Sequence, residues 1–246
     1  MKPRVSLVIP CYNEFRNLLP LFERCKKLVA EADAEVILVD NGSSDETAAL
    51  LASARFASEP RIRATRVPVN RGYGNGILTG LAEARGEFLG WTHADLQTDP
   101  CDVLSALRVL RASGGARDCF LKGSRGGRGA LDRAFTTGMS LFERALLGYW
   151  MPDINGQPTL FSRDFYRSWR NPPLDFSLDL FAFYAARAAG LEICRFATDF
   201  SPRHSGQGHN DLLRSKLRYS WRTIQYSIDL RRTRRSPTRR RPGGPS

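Results

Sequence analysis

Residues 88–100 read Phe-Leu-Gly-Trp-Thr-His-Ala-Asp-Leu-Gln-Thr-Asp-Pro. An apolar run stops abruptly and gives way to oxygen- and nitrogen-bearing side chains. This is the pattern of a buried strand followed by a loop at its carboxyl end, where open α/β sheets bind their ligands. Asp95 and Gln97 stand two residues apart. A carboxylate, an amide oxygen and a diphosphate would together make a shell suited to Mg2+ or Mn2+. The competing reading of acidic residues after a strand is capping of the next helix.

Outward from this stretch, short apolar runs alternate with amphipathic ones. The pattern predicts an open, mainly parallel, Rossmann-like sheet flanked by helices, an α/β fold. Strands are expected at 5–10, 35–40, 62–67, 88–92 and 119–123, and helices at 14–30, 45–56, 74–84, 100–112 and 131–147. Polar groups then collect at the strand ends: Pro10-Cys11-Tyr12-Asn13-Glu14, Asp40-Asn41-Gly42-Ser43-Ser44-Asp45 and His93-Ala94-Asp95. Ser43, Ser44 and Asp45 also suit the start of a helix. Residues 70–76, Asn-Arg-Gly-Tyr-Gly-Asn-Gly, read as a flexible turn suited to close backbone approach to a ligand. They lack the Gly-Lys-Ser/Thr ending of a P-loop.

With 246 residues and 42% hydrophobic content, the chain can build one large domain with a proper core. Its five cysteines are scattered and lack metal-type spacing, which predicts free thiols in a reducing compartment. The strand-like Val5-Ser6-Leu7-Val8-Ile9 comes so early that no signal peptide is expected before it. No apolar stretch is long enough to cross a bilayer. The formal charge of +12 suggests nucleic acid, yet seven of the arginines crowd into residues 231–241. Without them the chain is only mildly basic, and nucleic acid is not the expected partner.

Four segments taken together carry a resemblance: 8–14 (Val-Ile-Pro-Cys-Tyr-Asn-Glu), 38–47 (Leu-Val-Asp-Asn-Gly-Ser-Ser-Asp-Glu-Thr), 70–76 and 93–100. In order and spacing they resemble family 2 glycosyltransferases of the nucleotide-sugar-binding GT-A fold. Within these the chain is most similar to polyprenyl-phosphate sugar transferases. The resemblance implies that Pro10, Tyr12 and Glu14 border the nucleotide, with Ala94 and Asp95 beside it, and that Asp40 accepts hydrogen bonds from the base. It implies a divalent cation, Mn2+ or Mg2+, on Asp95 and Gln97. The family usually has Asp-Ala-Asp where this chain has His93-Ala94-Asp95. His93 is thus either a softer ligand that favours Mn2+ or a hydrogen-bond partner of the nucleotide.

The cluster Lys122-Gly123-Ser124-Arg125-Gly126-Gly127-Arg128, followed by Asp132-Arg133 and Thr136-Thr137, is the second informative stretch. Arg133 and Thr137 are four apart and share one side of a helix. With Arg125 they match the pattern that related transferases use to hold an acceptor phosphate; solvated arginines are the bland alternative. Arg203 and His204 resemble a segment that closes over the diphosphate, and Ser205 and Gln207 suit a lid turn.

The resemblance implies an inverting, metal-dependent transfer of sugar from a donor such as GDP-mannose or a UDP-hexose to a polyprenyl phosphate, with Asp95, Arg125 and Arg133 as the catalytic groups. Two alternatives stand beside it: the same fold acting on a hydroxyl with Asp153 as base, and a non-catalytic adaptor. The expected organisation is a GT-A domain over 1–205, a basic amphipathic helical segment over 206–230 and a disordered arginine-rich tail over 231–246. Leu213, Leu217, Trp221, Ile224 and Ile228 recur at helical spacing among Arg214, Lys216, Arg218 and Arg222. That helix either packs on the domain or lies in an anionic membrane surface. The implied location is cytoplasmic, peripheral to the inner face of the membrane.

Overall fold

A computed structural model of the chain describes residues 3–114, 117–126, 130–198, 213–233 and 237. The strands are β1 (Val5–Cys11), β2 (Ala34–Asp40), β3 (Ile62–Arg66), β4 (Phe88–Trp91), β5 (Cys119–Arg125), β6 (Thr159–Ser162) and β7 (Glu192–Thr198). They form one sheet in the order β3-β2-β1-β4-β6-β5-β7. Around it lie α1 (Phe15–Glu31), α2 (Thr47–Leu51), α3 (Ala54–Ala57), α4 (Tyr73–Glu83), α5 (Asp102–Ala112), α6 (Ala130–Leu147), α7 (Arg163–Ser168), α8 (Leu178–Ala188) and α9 (Leu213–Thr233).

The central strands are buried along almost their whole length because both faces are covered. In β1, Leu7 and Ile9 pack with Leu18, Leu21 and Phe22 of α1 on one face, while Val8 packs with Ile77 and Leu81 of α4 on the other. Successive side chains of a strand point to opposite faces, so one strand feeds two cores.

The five expected strands and the helices near 14–30, 74–84, 100–112 and 131–147 are present. Two corrections follow. The helix expected over 45–56 is two short helices, α2 and α3, interrupted at Ala52 and Ser53. Two strands, β6 and β7, and the helices α7 and α8 go unread in the sequence. The mainly parallel sheet that was expected is present, with β6 antiparallel to both β4 and β5. Four residues, Thr-Leu-Phe-Ser, are too few to show a period.

At the amino-terminal edge of the sheet, Glu35 is buried and gathers three segments. Its Oε1 accepts from Ser6 Oγ (2.6 Å) and Arg85 N (2.7 Å), and Ser6 Oγ accepts from Gly86 N (2.7 Å). Arg63 pairs with Oε2 at 3.1 Å. This pins the starts of β1 and β2 to the turn before β4 and leaves the opposite edge to carry the polar loops.

The periodicity after residue 206 predicts a helix ending by 230; α9 runs to Thr233, taking in the first arginines of the expected tail. Arg231 donates to the carbonyls of Ala145 and Leu146 at the end of α6, and Arg170 N donates to Pro237 O. The described part of α9 packs on the domain, with Ser227 fully buried. None of the described helices is long and apolar enough to cross a membrane.

Ser227 Oγ donates to Glu143 Oε1 (2.8 Å) and also lies 2.9 Å from Thr223 O, so one hydroxyl proton serves two acceptors. Burial pushes the Glu143 carboxyl up to about 7. A carboxyl raised in the folded state contributes stability at low pH that is lost as pH rises from its unfolded value toward 7. Packing of α9 on α6 should therefore weaken across that interval, and Glu143→Gln should flatten the dependence. Urea-unfolding midpoints measured across it check this; equal slopes for both proteins would contradict it.

Candidate active site

All strands but β6 end on one edge, and the polar loops meet there. Asn13, in the left-handed region at φ 56°, turns the chain after β1. Its backbone N donates to Ser43 Oγ (3.0 Å), and its Oδ1 accepts from Ser44 N (2.9 Å). Glu14 N donates to Thr47 Oγ1 (2.9 Å). The loops after β1 and β2 are thus cross-bonded into one rim. Glu14 turns its carboxylate to Asn17 Nδ2 at 2.5 Å, and Tyr12 is half-buried beside it.

Asp40 closes β2 and is buried. One carboxylate oxygen accepts from Ser43 N (2.9 Å); the other faces Arg66 Nε at 3.1 Å without the alignment of a hydrogen bond. Asn41 Oδ1 and Thr198 Oγ1 on the same edge are also buried without hydrogen-bond partners. Buried polar atoms are ordinarily satisfied, so the second Asp40 oxygen is placed to accept a hydrogen bond from a ligand.

After β4, Asp95 is buried and Leu96 takes φ 58°. A leucine in the left-handed region is strained. The step turns Gln97 N back onto Asp95 Oδ1 at 3.1 Å, fixing the carboxylate. Ala94 is buried in the core beneath. His93 stacks on Tyr73 with ring centres 5.5 Å apart, and Tyr73 stacks on Phe176 at 4.7 Å. The imidazole is thereby held by aromatic packing. Among the described residues, the only groups of three or more histidine, cysteine or acidic side chains close enough to share an ion lie elsewhere. A buried, fixed carboxylate fits a hard divalent cation whose other ligands include a diphosphate.

The largest cluster was not read from the sequence. Lys122 on β5 is fully buried. Its Nζ donates to Thr159 Oγ1 (3.0 Å) and lies 3.7 Å from Asp179 Oδ1. Gln157 Nε2 donates to the same Asp179 oxygen at 2.6 Å. Burial pulls the Lys122 ammonium down to about 8, against the opposing pull of Asp179. Tyr73 is buried near both Asp179 and Asp95, which raise its phenol further. Polar groups thus run continuously from the end of β4 to the end of β5.

Arg125 and Asp153, assigned to different roles in the sequence reading, are partners. Arg125 Nε donates to Asp153 Oδ1 (3.0 Å), Nη2 donates to the same oxygen, and Arg125 N donates to Oδ2 (3.3 Å). Arg195 donates to the carbonyls of Gly123 and Pro152, locking the loop that carries Asp153. Arg133 and Thr137 lie on α6, Thr137 exposed. Arg203 and His204, with Ser205 and Gln207, lie outside the described residues.

The glycines of residues 70–76 serve protein packing. Gly72, at φ 121°, sits against the Leu174 carbonyl and Gly74 against those of Pro173 and Asp175, leaving no room for a Cβ. Asn75 N donates to Leu174 O (2.8 Å) and Asn41 Nδ2 to Gly72 O (3.0 Å). The close backbone approach expected toward a ligand is made to the 173–175 loop.

Comparison with known proteins gives a consistent picture. The profile of glycosyl transferase family 2 matches residues 6–169. An undecaprenyl-phosphate 4-deoxy-4-formamido-L-arabinose transferase of Enterobacter sp. (strain 638) is 41% identical over 106 residues, covering 41% of this chain and 31% of that protein. The same transferase of Yersinia enterocolitica is 42% identical over 106 residues, again 41% and 31%. The match thus spans about a third of the length of these relatives. Glucosyl-3-phosphoglycerate synthase of Mycobacterium tuberculosis, solved with Mn2+, UDP and glucosyl-3-phosphoglycerate, superposes with a TM-score of 0.70 at 18% identity over 93% of this chain and 80% of that one. Its complex with Mg2+ and UDP gives 0.70 at 18%, over 93% and 79%. The architecture is that of GT-A glycosyltransferases.

The buried lysine gives a pH test. An ammonium lowered on folding makes the unfolded chain the better proton acceptor between about 8 and the ordinary lysine value of 10.5. The stability of the wild type relative to Lys122→Met should rise with pH through that window and stay level just below it. Chemical denaturation of both proteins measures the difference; a level difference across the window would contradict the burial of a charged lysine.

Proposed function

The chain belongs to glycosyl transferase family 2, and on that footing we propose that it moves a sugar, with inversion, from a nucleotide sugar to a polyprenyl phosphate. The observation that carries this is the carboxyl edge of the sheet, where the Asp40 and Asp95 carboxylates are buried and held in place. The undecaprenyl-phosphate relatives support the acceptor, and the UDP complexes of the structural neighbours support a UDP-sugar as the first donor to try.

On this reading the second Asp40 oxygen accepts from the base, with Pro10, Tyr12 and Glu14 along the nucleotide. Asp95 and Gln97, with His93 alongside, would hold Mn2+ or Mg2+. When bound, the cation neutralises the leaving diphosphate. Arg203 and His204 are proposed to close over the donor. Everything else is positioning. A phosphate monoester has its second pKa near ~6 and is already an anionic nucleophile at neutral pH. It needs alignment for in-line displacement rather than a base. Arg125, Arg133 and Thr137 are proposed to supply that alignment, the incoming phosphate competing with Asp153 for the Arg125 guanidinium.

The pairing with Arg125 also bears on the hydroxyl-acceptor alternative. A carboxylate that already accepts three hydrogen bonds is a weak base. Asp153 is therefore proposed to position Arg125. The chain is further proposed to work at the cytoplasmic membrane surface, the GT-A domain spanning 1–205 and the basic residues after 206 meeting anionic lipid. The adaptor reading is the less favoured one, because an adaptor has no need of a fixed Asp95 carboxylate.

Transfer of radiolabel from a panel of UDP- and GDP-sugars into organic-extractable polyprenyl phosphate, with Mn2+ present, tests the reaction. One donor should label the lipid; donor hydrolysis without labelled lipid would move the acceptor to a hydroxyl. Asp95→Asn should lower turnover by about 10²–10³-fold, and His93→Asp should preserve or raise activity with Mg2+. Asp153→Asn should act mainly on KM for the acceptor. A collapse of kcat at unchanged KM would instead make Asp153 the base.

A further inference from the structure

The amino-terminal ends of β5 and β7 carry a second cluster, at the opposite edge of the sheet from the candidate active site. Cys119 opens β5 and pairs in register with Glu192, which opens β7; Cys194 is two residues further on the same strand. Cys119 and Cys194 therefore lie on the same face of adjacent strands, with their sulfurs 3.4 Å apart. Glu192 Oε2 is 3.9 Å from Cys119 Sγ, and Ser113 Oγ, just past the end of α5, is 3.6 Å from it. The two cysteines and Glu192 bring one ligand atom each within 4.8 Å of one another. Both cysteines are buried and carry free thiols, while Glu192 is exposed and leaves a path from solvent.

We propose that Cys119, Cys194 and Glu192 form a binding site for a thiophilic divalent cation such as Zn2+, with Ser113 or water completing the shell. The spacing is close to what such an ion demands. Tetrahedral zinc with Zn–S of about 2.3 Å holds two sulfurs roughly 3.8 Å apart and a carboxylate oxygen slightly nearer. Two sulfurs and a carboxylate favour Zn2+ over Mg2+, the opposite preference to the all-oxygen pair at Asp95 and Gln97. The bound ion would tie the edge strand β7 to β5, and through Ser113 to α5. No step of the proposed transfer depends on it.

The test uses the full chain, reduced and stripped of metal, with Mg2+ in excess to fill oxygen sites. Titration with Co2+ should give a thiolate-to-metal charge-transfer band saturating at one equivalent. Cys119→Ser and Cys194→Ser should each abolish the band, Cys25→Ser should keep it, and Glu192→Gln should weaken binding by about tenfold. Zn2+ at about 100 times its Kd should raise the wild-type Tm by about 5–10 °C. Should the serine variants fail to fold, alkylation of the wild type read by mass spectrometry decides: Zn2+ should protect Cys119 and Cys194 together. The absence of a band, its survival in both serine variants, or a Cys119–Cys194 disulfide whose reduced form takes up no metal would each overturn the assignment.

Discussion

An ammonium group that water does not reach must find its partners inside the protein, and Lys122 imposes that demand on the candidate active site. Its Nζ is met by Thr159 Oγ1 from the start of β6 and by the Asp179 carboxylate from the first turn of α8. Breaking such a buried pair is far more costly than never having formed it, because the remaining charge has no solvent to turn to. Hence the short antiparallel strand, the loop before it and the amino terminus of α8 are all drawn to one place on β5. Gln157, bonded to Asp179, comes with them.

Close backbone approach completes the arrangement. Gly123 on β5 lies against the Gln157 carbonyl with no space for a side chain, and Arg195 binds the carbonyls of Gly123 and Pro152 from the neighbouring strand. The loop that holds Asp153 is thereby seated on the sheet, and Asp153 meets Arg125. Rigid elements thus hold the proposed phosphate-binding arginine, as effective positioning of a reacting group requires. Among the described residues, the left-handed non-glycine positions are Asn13 after β1, Leu96 after β4, Asp153 before β6 and Asn171 after α7, and the first three lie on loops of the candidate site. Backbone strain of this kind gathers where side chains are aimed for a task.

The two edges of the sheet carry different chemistry. At the carboxyl edge the acidic side chains and amides stand on loops open to a nucleotide. At the amino edge Glu35 binds β1, β2 and the turn before β4, and the two thiols with Glu192 join β5 to β7.

The class of fold, strands β1 to β5 and most of the helices are legible along the chain, since buried parallel strands read as apolar runs and amphipathic helices leave a period. The sequence also marked Asp40 and Asp95, because they follow apolar runs directly. The remaining features depend on contacts between distant elements. The antiparallel pairing of Thr159–Ser162 sets Thr159 opposite Lys122 in register, a match made across 37 residues of chain. Nothing local sets Asp179 apart in an apolar helix, and 22 residues separate it from Gln157. Arg125 and Asp153, 28 residues apart, read as a phosphate clamp and a base until the fold made them partners. Cys119 and Cys194 read as unrelated thiols because 75 residues divide them, and only strand register sets their sulfurs side by side. Spacing along a chain records what a helix or strand must do with its own neighbours; it does not record which distant side chains the packing of those elements will join.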